Sequence, residues 1–275
     1  MDEKNHHYPI TAVNIETGPV MPSWLQTPLG EYLLAWELAR LDVMLADIFG
    51  YNALQVGLGQ ADLLRASRMP LHVCAARGAE SSAGLSSRLT VACSEAALPF
   101  AGASLDLVVL AHELEFSATP HQLLREAARV LVAEGSVVIC GFNPYSLWSF
   151  HRYTRNRWPW RGRYLSAAKV RDWLTVLGFE VQSSQYGCYV PAVETPEWLG
   201  RWKWLDPIGR RCWPVCGAVW ILHGIKRVHG ARLIQPNWRE RRAPAKSLPA
   251  VARKLGETGA LPGKVSRETG EACKS

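Results

Sequence analysis

The stretch LPFAGASLDLVVLAHELEFSATPHQLLREAARVLVAEGSVVIC, residues 98–140, decides the fold. Leu105–Ala111 (LDLVVLA) is an apolar run too short for a typical helix, and it suits a strand buried on both faces inside a parallel sheet. Ser136–Cys140 (SVVIC) is a second such run. Between them, Thr119 followed by Pro120 and by Gln122 reads as a capping-box start to a helix, with proline at the first helical position. Leu123, Leu124, Ala127, Val130 and Leu131 form the inner face of that helix, and Glu134-Gly135 marks the turn back into strand.

The alternation extends in both directions. Upstream, Leu34, Leu38, Leu41, Leu45 and Ile48 recur at steps of four and three, which predicts a helix ended by Gly50. Ala53–Gly57 (ALQVG), 71–75 (LHVCA) and 88–92 (RLTVA) read as short strands, the last two separated by a Gly/Ser loop. Downstream, Ser166 caps a helix with Val170, Trp173, Leu174 and Leu177 on one side. Gly178 followed by Phe179 fits a left-handed helix end closed by an apolar contact. Strands follow at 179–184 and 217–223 (GAVWILH). Residues 197–211 read as one helix whose Trp198, Trp202 and Trp204 pack on the sheet edge, ahead of binding lipid, or lend a wall to a pocket. Strand and helix signals alternating from residue 53 to about 185 imply a doubly wound α/β sheet. The expected organisation is an irregular leader over 1–22, a domain over 23–230, and a basic, disordered tail over 231–275, where apolar periodicity fades.

Composition fits a globular chain: 48% of the 275 residues are hydrophobic and 20% charged. No apolar run reaches the roughly 18 residues that a membrane span needs. The N-terminal MDEKNHHYPI lacks the apolar core of a secretory signal, so a cytoplasmic location is expected. The seven cysteines form no C-x-x-C pair, which favours free thiols in a reducing compartment over a zinc site. The net charge of +7 is uneven: residues 231–275 hold 10 Lys/Arg against 4 Asp/Glu, leaving 21 against 20 for the rest. Such a tail is either a solvated terminus or a contact for nucleic acid or another polyanion. Residues 151–163 (HRYTRNRWPWRGR) set five arginines among Tyr153, Trp158 and Trp160. That mixture suits phosphates and stacked bases, an acidic small molecule, or a solvated loop whose tryptophans pack onto the body.

The first strand ends in Val56-Gly57-Leu58-Gly59-Gln60, where glycines let a ligand approach the backbone. The dinucleotide fingerprint would need Gly or Ala at position 62 and an acid closing the second strand. The chain has Asp62 and Ala75-Ala76, which counts against hydride transfer. The ordered string that follows is more specific: Leu98-Pro99-Phe100, Ser104-x-Asp106-x-Val108, His112-x-Leu114, Leu124-Arg125-Glu126 and Arg129-Val130-Leu131. Over residues 53–140 it resembles the class I S-adenosylmethionine-dependent methyltransferases, in particular their type 11 subgroup. GFEV at 178–181 and the last strand fit the end of the same fold. TPLGEY at 27–32 and GFNP at 141–144 are similar to a group of bacterial methyltransferase-like proteins.

The resemblance implies a Rossmann-like, doubly wound, seven-stranded sheet, mostly parallel with an antiparallel last strand. It implies S-adenosylmethionine lying across the carboxyl ends of the first strands. Gly57, Leu58 and Gly59 would lie under its methionine part, Ser94, Glu95 and Ala96 beside its adenine, and His112 near the transferred methyl. The implied function is methyl transfer to an unidentified acceptor, with a small molecule ahead of nucleic acid. The alternatives are a non-catalytic binding or regulatory protein on the same fold, and a nucleic-acid modifying or binding protein. Methyl transfer asks mainly for alignment, and for a base only where the nucleophile must shed a proton. The catalytic candidates are His112, as a base or as a structural or cofactor-contacting residue, and Asn143, as a substrate contact or a plain turn residue. The sequence departs from the family in three places. Ala61 stands for a glycine, no acid closes the second strand to hold the ribose, and Ser94 with Glu95 beside it replaces the usual aspartate.

Overall fold

The structure is a computed structural model, and it describes residues 24–76, 89–92, 97–151 and 159–228. The leader over 1–22, the tail over 231–275, the Ser94–Ala96 segment and most of the Arg/Trp segment lie outside the described residues.

Seven strands form one sheet in the order β3-β2-β1-β4-β5-β7-β6. They are β1 (Asn52–Val56), β2 (Leu71–Ala76), β3 (Leu89–Ala92), β4 (Leu105–Ala111), β5 (Leu131–Phe142), β6 (Phe179–Gly187) and β7 (Val219–Lys226). The β1–β2, β2–β3, β1–β4 and β4–β5 pairs are parallel. Only β7 runs the other way, antiparallel to both β5 and β6. The chain leaves β1 toward β3 on one side and returns to β4 on the other. This reversal opens a crevice at the carboxyl ends of β1 and β4, the general ligand position in open α/β sheets.

The helices are α1 (Pro28–Leu45), α2 (Glu113–Phe116), α3 (Pro120–Val130), α4 (Ala167–Val176), α5 (Pro196–Trp202) and α6 (Leu205–Cys212). Two apolar layers sandwich the sheet, as expected for strands that read as mostly apolar runs. On one face Leu29, Leu33, Leu41 and Leu45 of α1 meet Ala53, Leu107, Val109 and Val138. On the other, Leu123, Leu124, Val170 and Leu174 of α3 and α4 meet Leu54, Val108, Leu110 and Ile139.

Several local expectations change. Thr119 begins α3 with Pro120 behind it, but its side chain makes no capping bond. The Thr119 N–H instead donates to Ser117 Oγ at 3.1 Å. Ser166 does cap α4, accepting from the Lys169 N–H at 3.3 Å, and Gly178 takes the left-handed φ of 85°. Strand β5 starts at Leu131, and the expected turn survives inside it as left-handed Glu134 (φ 62°). The single helix expected over 197–211 is two, broken at Lys203-Trp204. Pro207 explains the break, since a continuous helix would drive its ring into the Lys203 carbonyl. Helix α1 ends at Leu45, and Gly50 serves a different purpose: a Cβ there would lie 2.4 Å from the Asp106 Cβ. That approach lets Asp106 Oδ2 accept from the Tyr51 and Asn52 N–H groups, both at 2.9 Å, which fixes the start of β1.

Candidate functional site

The connection from β1 to β2 contains turns and no helix, against the strand–helix alternation read from the sequence. The cause is Gln55, a fully buried amide inside an otherwise apolar strand. Its Nε2 donates to the carbonyls of Gly57 (3.1 Å), Leu58 (3.1 Å) and Ala61 (2.8 Å), and its Oε1 accepts from the Leu63 N–H (3.1 Å). Carbonyls engaged this way are withdrawn from the i→i+4 ladder a helix would need. Gly57 (φ 86°) and Leu58 (φ 43°) turn left-handed in succession. A Cβ at Gly57 would lie 2.4 Å from the Ala111 carbonyl oxygen and 2.7 Å from Glu113 Oε1. The glycine turn therefore presses against the end of β4, with the Glu113 carboxylate beside it.

His112 follows β4 in a left-handed conformation (φ 56°), which turns its ring into the core. Its Nε2 lies 2.8 Å from Glu37 Oε1 of α1, and its Nδ1 lies 3.1 Å from Glu115 Oε2 of α2. The Phe142 N–H donates to Glu115 Oε1, which ties the cluster to the end of β5. Burial alone would lower the imidazole pKa, but the Glu37 and Glu115 carboxylates outweigh it and push it up to about 10. Cys140 and Cys188 lie close by, and burial first, then the charge of Glu37, pushes both thiols well above their usual range. With both ring nitrogens engaged and the cation favoured, His112 does not have the properties of a base near neutral pH. It joins α1 to the carboxyl edge of the sheet.

Asn143 is buried, and its side chain is taken up by the backbone. Nδ2 donates to the carbonyls of Val215 (2.7 Å) and Gly217 (2.8 Å), and Oδ1 accepts from the Tyr145 N–H (3.1 Å). The residue fastens the turn after β5 to the approach into β7, which is the turn reading of Asn143. Gly57, Leu58 and His112 thus meet at the β1–β4 crevice, while Asn143 faces the β5–β7 side of the same edge. Of the Arg/Trp segment, Trp160 is buried and stands edge-on to Trp148 at 6.0 Å. Trp202 packs on the core, whereas Trp198 and Trp204 are about half exposed.

Sequence reading missed Gln55, Glu37, Glu113 and Glu115. Two of them left a signal. Leu29, Leu33, Glu37, Leu41 and Leu45 form a four-residue ladder along the buried face of α1, with one acid at its centre. Gln55 is the one polar residue in ALQVG.

Comparison with known proteins bears on this edge directly. A family model for a methyltransferase domain matches residues 54–139, which include the glycine turn, His112 and its Glu115 partner. The YafS protein of Escherichia coli K12 is 32% identical over 162 residues, 58% of this chain; the match spans 65% of that relative, just under two thirds of its length. A SAM-dependent methyltransferase of Thermotoga maritima superposes with a TM-score of 0.54 at 16% identity, covering 75% of this chain and 94% of that one. One from Archaeoglobus fulgidus gives 0.53 at 16% identity, covering 70% and 94%. At such identities these two structures establish the shared fold.

Proposed function

We propose that this chain, whose residues 54–139 match a methyltransferase-domain model, moves a methyl group from S-adenosylmethionine to a small-molecule acceptor at the carboxyl edge of β1 and β4. The observation that supports this most is Gly57. Its left-handed backbone leaves no space for a side chain between β1, the Ala111 carbonyl and the Glu113 carboxylate. A bare backbone beside an acid suits a ligand with an ammonium and a sulfonium charge. Gly57, Leu58 and Gly59 would give the close approach, Glu113 the countercharge, and Ser94, Glu95 and Ala96 the adenine side. The bound cofactor supplies an electrophilic methyl carbon. The chain's own work is then to bind, align and exclude water. His112 serves this reading as a cationic anchor that holds α1 and α2 at the edge, and Asn143 as the clamp on its far side.

Calorimetry with S-adenosylmethionine tests the reading. One-site binding that is lost in Gly57→Ala and weakened in Glu113→Gln is the expected result, and absence of binding at millimolar cofactor overturns it. A second reading, a binding or regulatory protein without turnover, draws on the turns over 57–70. No helix N-terminus faces the glycine turn there to attract the cofactor's carboxylate. Mass spectrometry of small-molecule extracts incubated with protein and cofactor separates the two, because a methylated product that accumulates with time excludes the second.

A further inference from the structure

At the β5–β6–β7 end of the carboxyl edge lies a cavity of about 350 Å³, walled by Tyr145, Leu147, Phe150, Tyr189, Leu205 and Trp213. That volume falls at the lower end of the roughly 300–1,000 Å³ typical of small-ligand sites. The walls are mainly aromatic and aliphatic, and the polar atoms of Tyr189 and Ser146 are already engaged. The Tyr189 hydroxyl donates to the Pro214 carbonyl at 2.8 Å, its N–H donates to Asp206 Oδ1 at 2.9 Å, and Ser146 Oγ donates to the Asn143 carbonyl at 2.8 Å. Within the cavity a ligand therefore meets mainly apolar surface.

The walls are also held in place. Asp206 Oδ1 takes a second donor, the Tyr32 hydroxyl of α1, at 2.6 Å. Gly209 seats α6 so closely on Tyr189 that a Cβ would lie 2.4 Å from the ring. Immediately after Gly209 come Arg210 and Arg211, in the last turn of α6. Arg210 is near enough to Tyr189 for its charge to be felt at the phenol. Neither arginine forms an ion pair among the described residues. The result is an apolar cavity with a cationic rim.

We infer that this cavity is the acceptor site and that it takes a small amphiphilic anion, with an apolar body against Leu147, Phe150 and Trp213 and a carboxylate, sulfonate or phosphate toward Arg210. The inference rests on the proposed methyl transfer and names the substrate class for the same edge. Strand β5 adjoins β4, so the cavity and the glycine turn lie on one edge of the sheet. In the transfer, a lone pair of the acceptor forms the new bond to the methyl carbon. The electrons of the broken carbon–sulfur bond return to sulfur as a neutral thioether, and any proton the acceptor sheds goes to water.

The test is fluorescence titration of the full chain, without cofactor, using two dyes with the same ring system: 1-anilinonaphthalene-8-sulfonate and the uncharged N-phenyl-1-naphthylamine. Both should bind at one saturable site, the sulfonate more tightly. Arg210→Glu should weaken the sulfonate about tenfold and leave the neutral dye within about twofold, as expected for loss of one charge-assisted contact. Leu147→Glu, at a half-exposed wall position where a carboxylate is tolerated, should weaken both about tenfold. Unchanged melting temperatures establish that both variants fold. Sulfonate binding that ignores both substitutions overturns the inference, and equal loss of both dyes in Arg210→Glu overturns its anionic part. Co-flotation with phosphatidylglycerol vesicles that Leu147→Glu abolishes would assign this face to a bilayer and overturn the small-ligand site. Dye binding with no S-adenosylmethionine binding sinks the proposed function, and with it the role of acceptor site, and leaves the cavity as a site for an amphiphilic anion. Cofactor binding with no cavity-dependent dye binding sinks this inference alone.

Discussion

Gln55 closes the turn after β1 from both ends of its amide. Gln55→Met keeps length and volume but leaves the Gly57, Leu58 and Ala61 carbonyls and the Leu63 N–H without their buried partner. Each such orphan costs roughly 1–3 kcal/mol, with relief where water can enter, so a loss of about 3 kcal/mol is expected in urea denaturation. Gln55→Glu should cost more, because it aims a carboxylate at those carbonyls. His112 makes a prediction that depends on pH. Its folded pKa of about 10 lies above the ordinary 6.5, so its stabilisation is complete below about pH 6.5 and is lost as pH rises through about 10. Unfolding free energy should fall over that window in the wild type and stay flatter in His112→Gln. The buried Cys140 and Cys188 thiols, held well above their usual range, add a fall of their own once pH passes the ordinary thiol range, and that part persists in His112→Gln. At neutral pH His112→Gln should cost about 3–5 kcal/mol, since it leaves Glu37 and Glu115 buried without their cation. The place of His112 was legible in the sequence, because a polar residue after LDLVVLA must stand at the strand's carboxyl end. Its chemistry was not, because Glu37 lies 75 residues away on another element.

The strands were the most legible elements, since burial on both faces leaves short runs that are almost wholly apolar. Helices were less so, because side chains compete with their backbone. Gln55 suppresses a helix after β1, Pro207 splits one into α5 and α6, and Ser117 takes the N–H that the Thr119 capping box was expected to organise. The turn between β5 and its neighbour β7 belongs to this scale as well. Asn143 joins residues 72 and 74 positions apart through Val215 and Gly217, and that pairing left no local signal. Asn143→Ala removes three side-chain bonds at a buried position and should lower stability by about 3 kcal/mol. Hydrogen exchange should rise at 142–146 and 215–219 together, while β1 and β2 keep their protection. Exchange rising uniformly over the sheet would instead show that the turn is no separate unit.

Over the described molecule, separate sets of chain segments build the two halves of one edge. The glycine turn, Glu113 and His112 come from the β1–β4 half, and the apolar cavity comes from the segments flanking β5, β6 and β7. Helix α1 touches both, through Glu37 to His112 and through Tyr32 to Asp206. A ligand bound in either half stabilises the fold by mass action, because the unfolded chain offers neither site. At a hundredfold excess over its dissociation constant, S-adenosylmethionine should add about 2.7 kcal/mol, or about 5 °C or more in melting temperature for a domain of this size. Gly57→Ala is expected to abolish that shift, since the methyl group would press on Ala111 and Glu113 in a backbone conformation that already disfavours it. The same variant should keep its response to 1-anilinonaphthalene-8-sulfonate, because its lesion lies across β4 and β5 from the cavity. Loss of both responses would mean that α1 couples the halves strongly enough for damage at one to close the other.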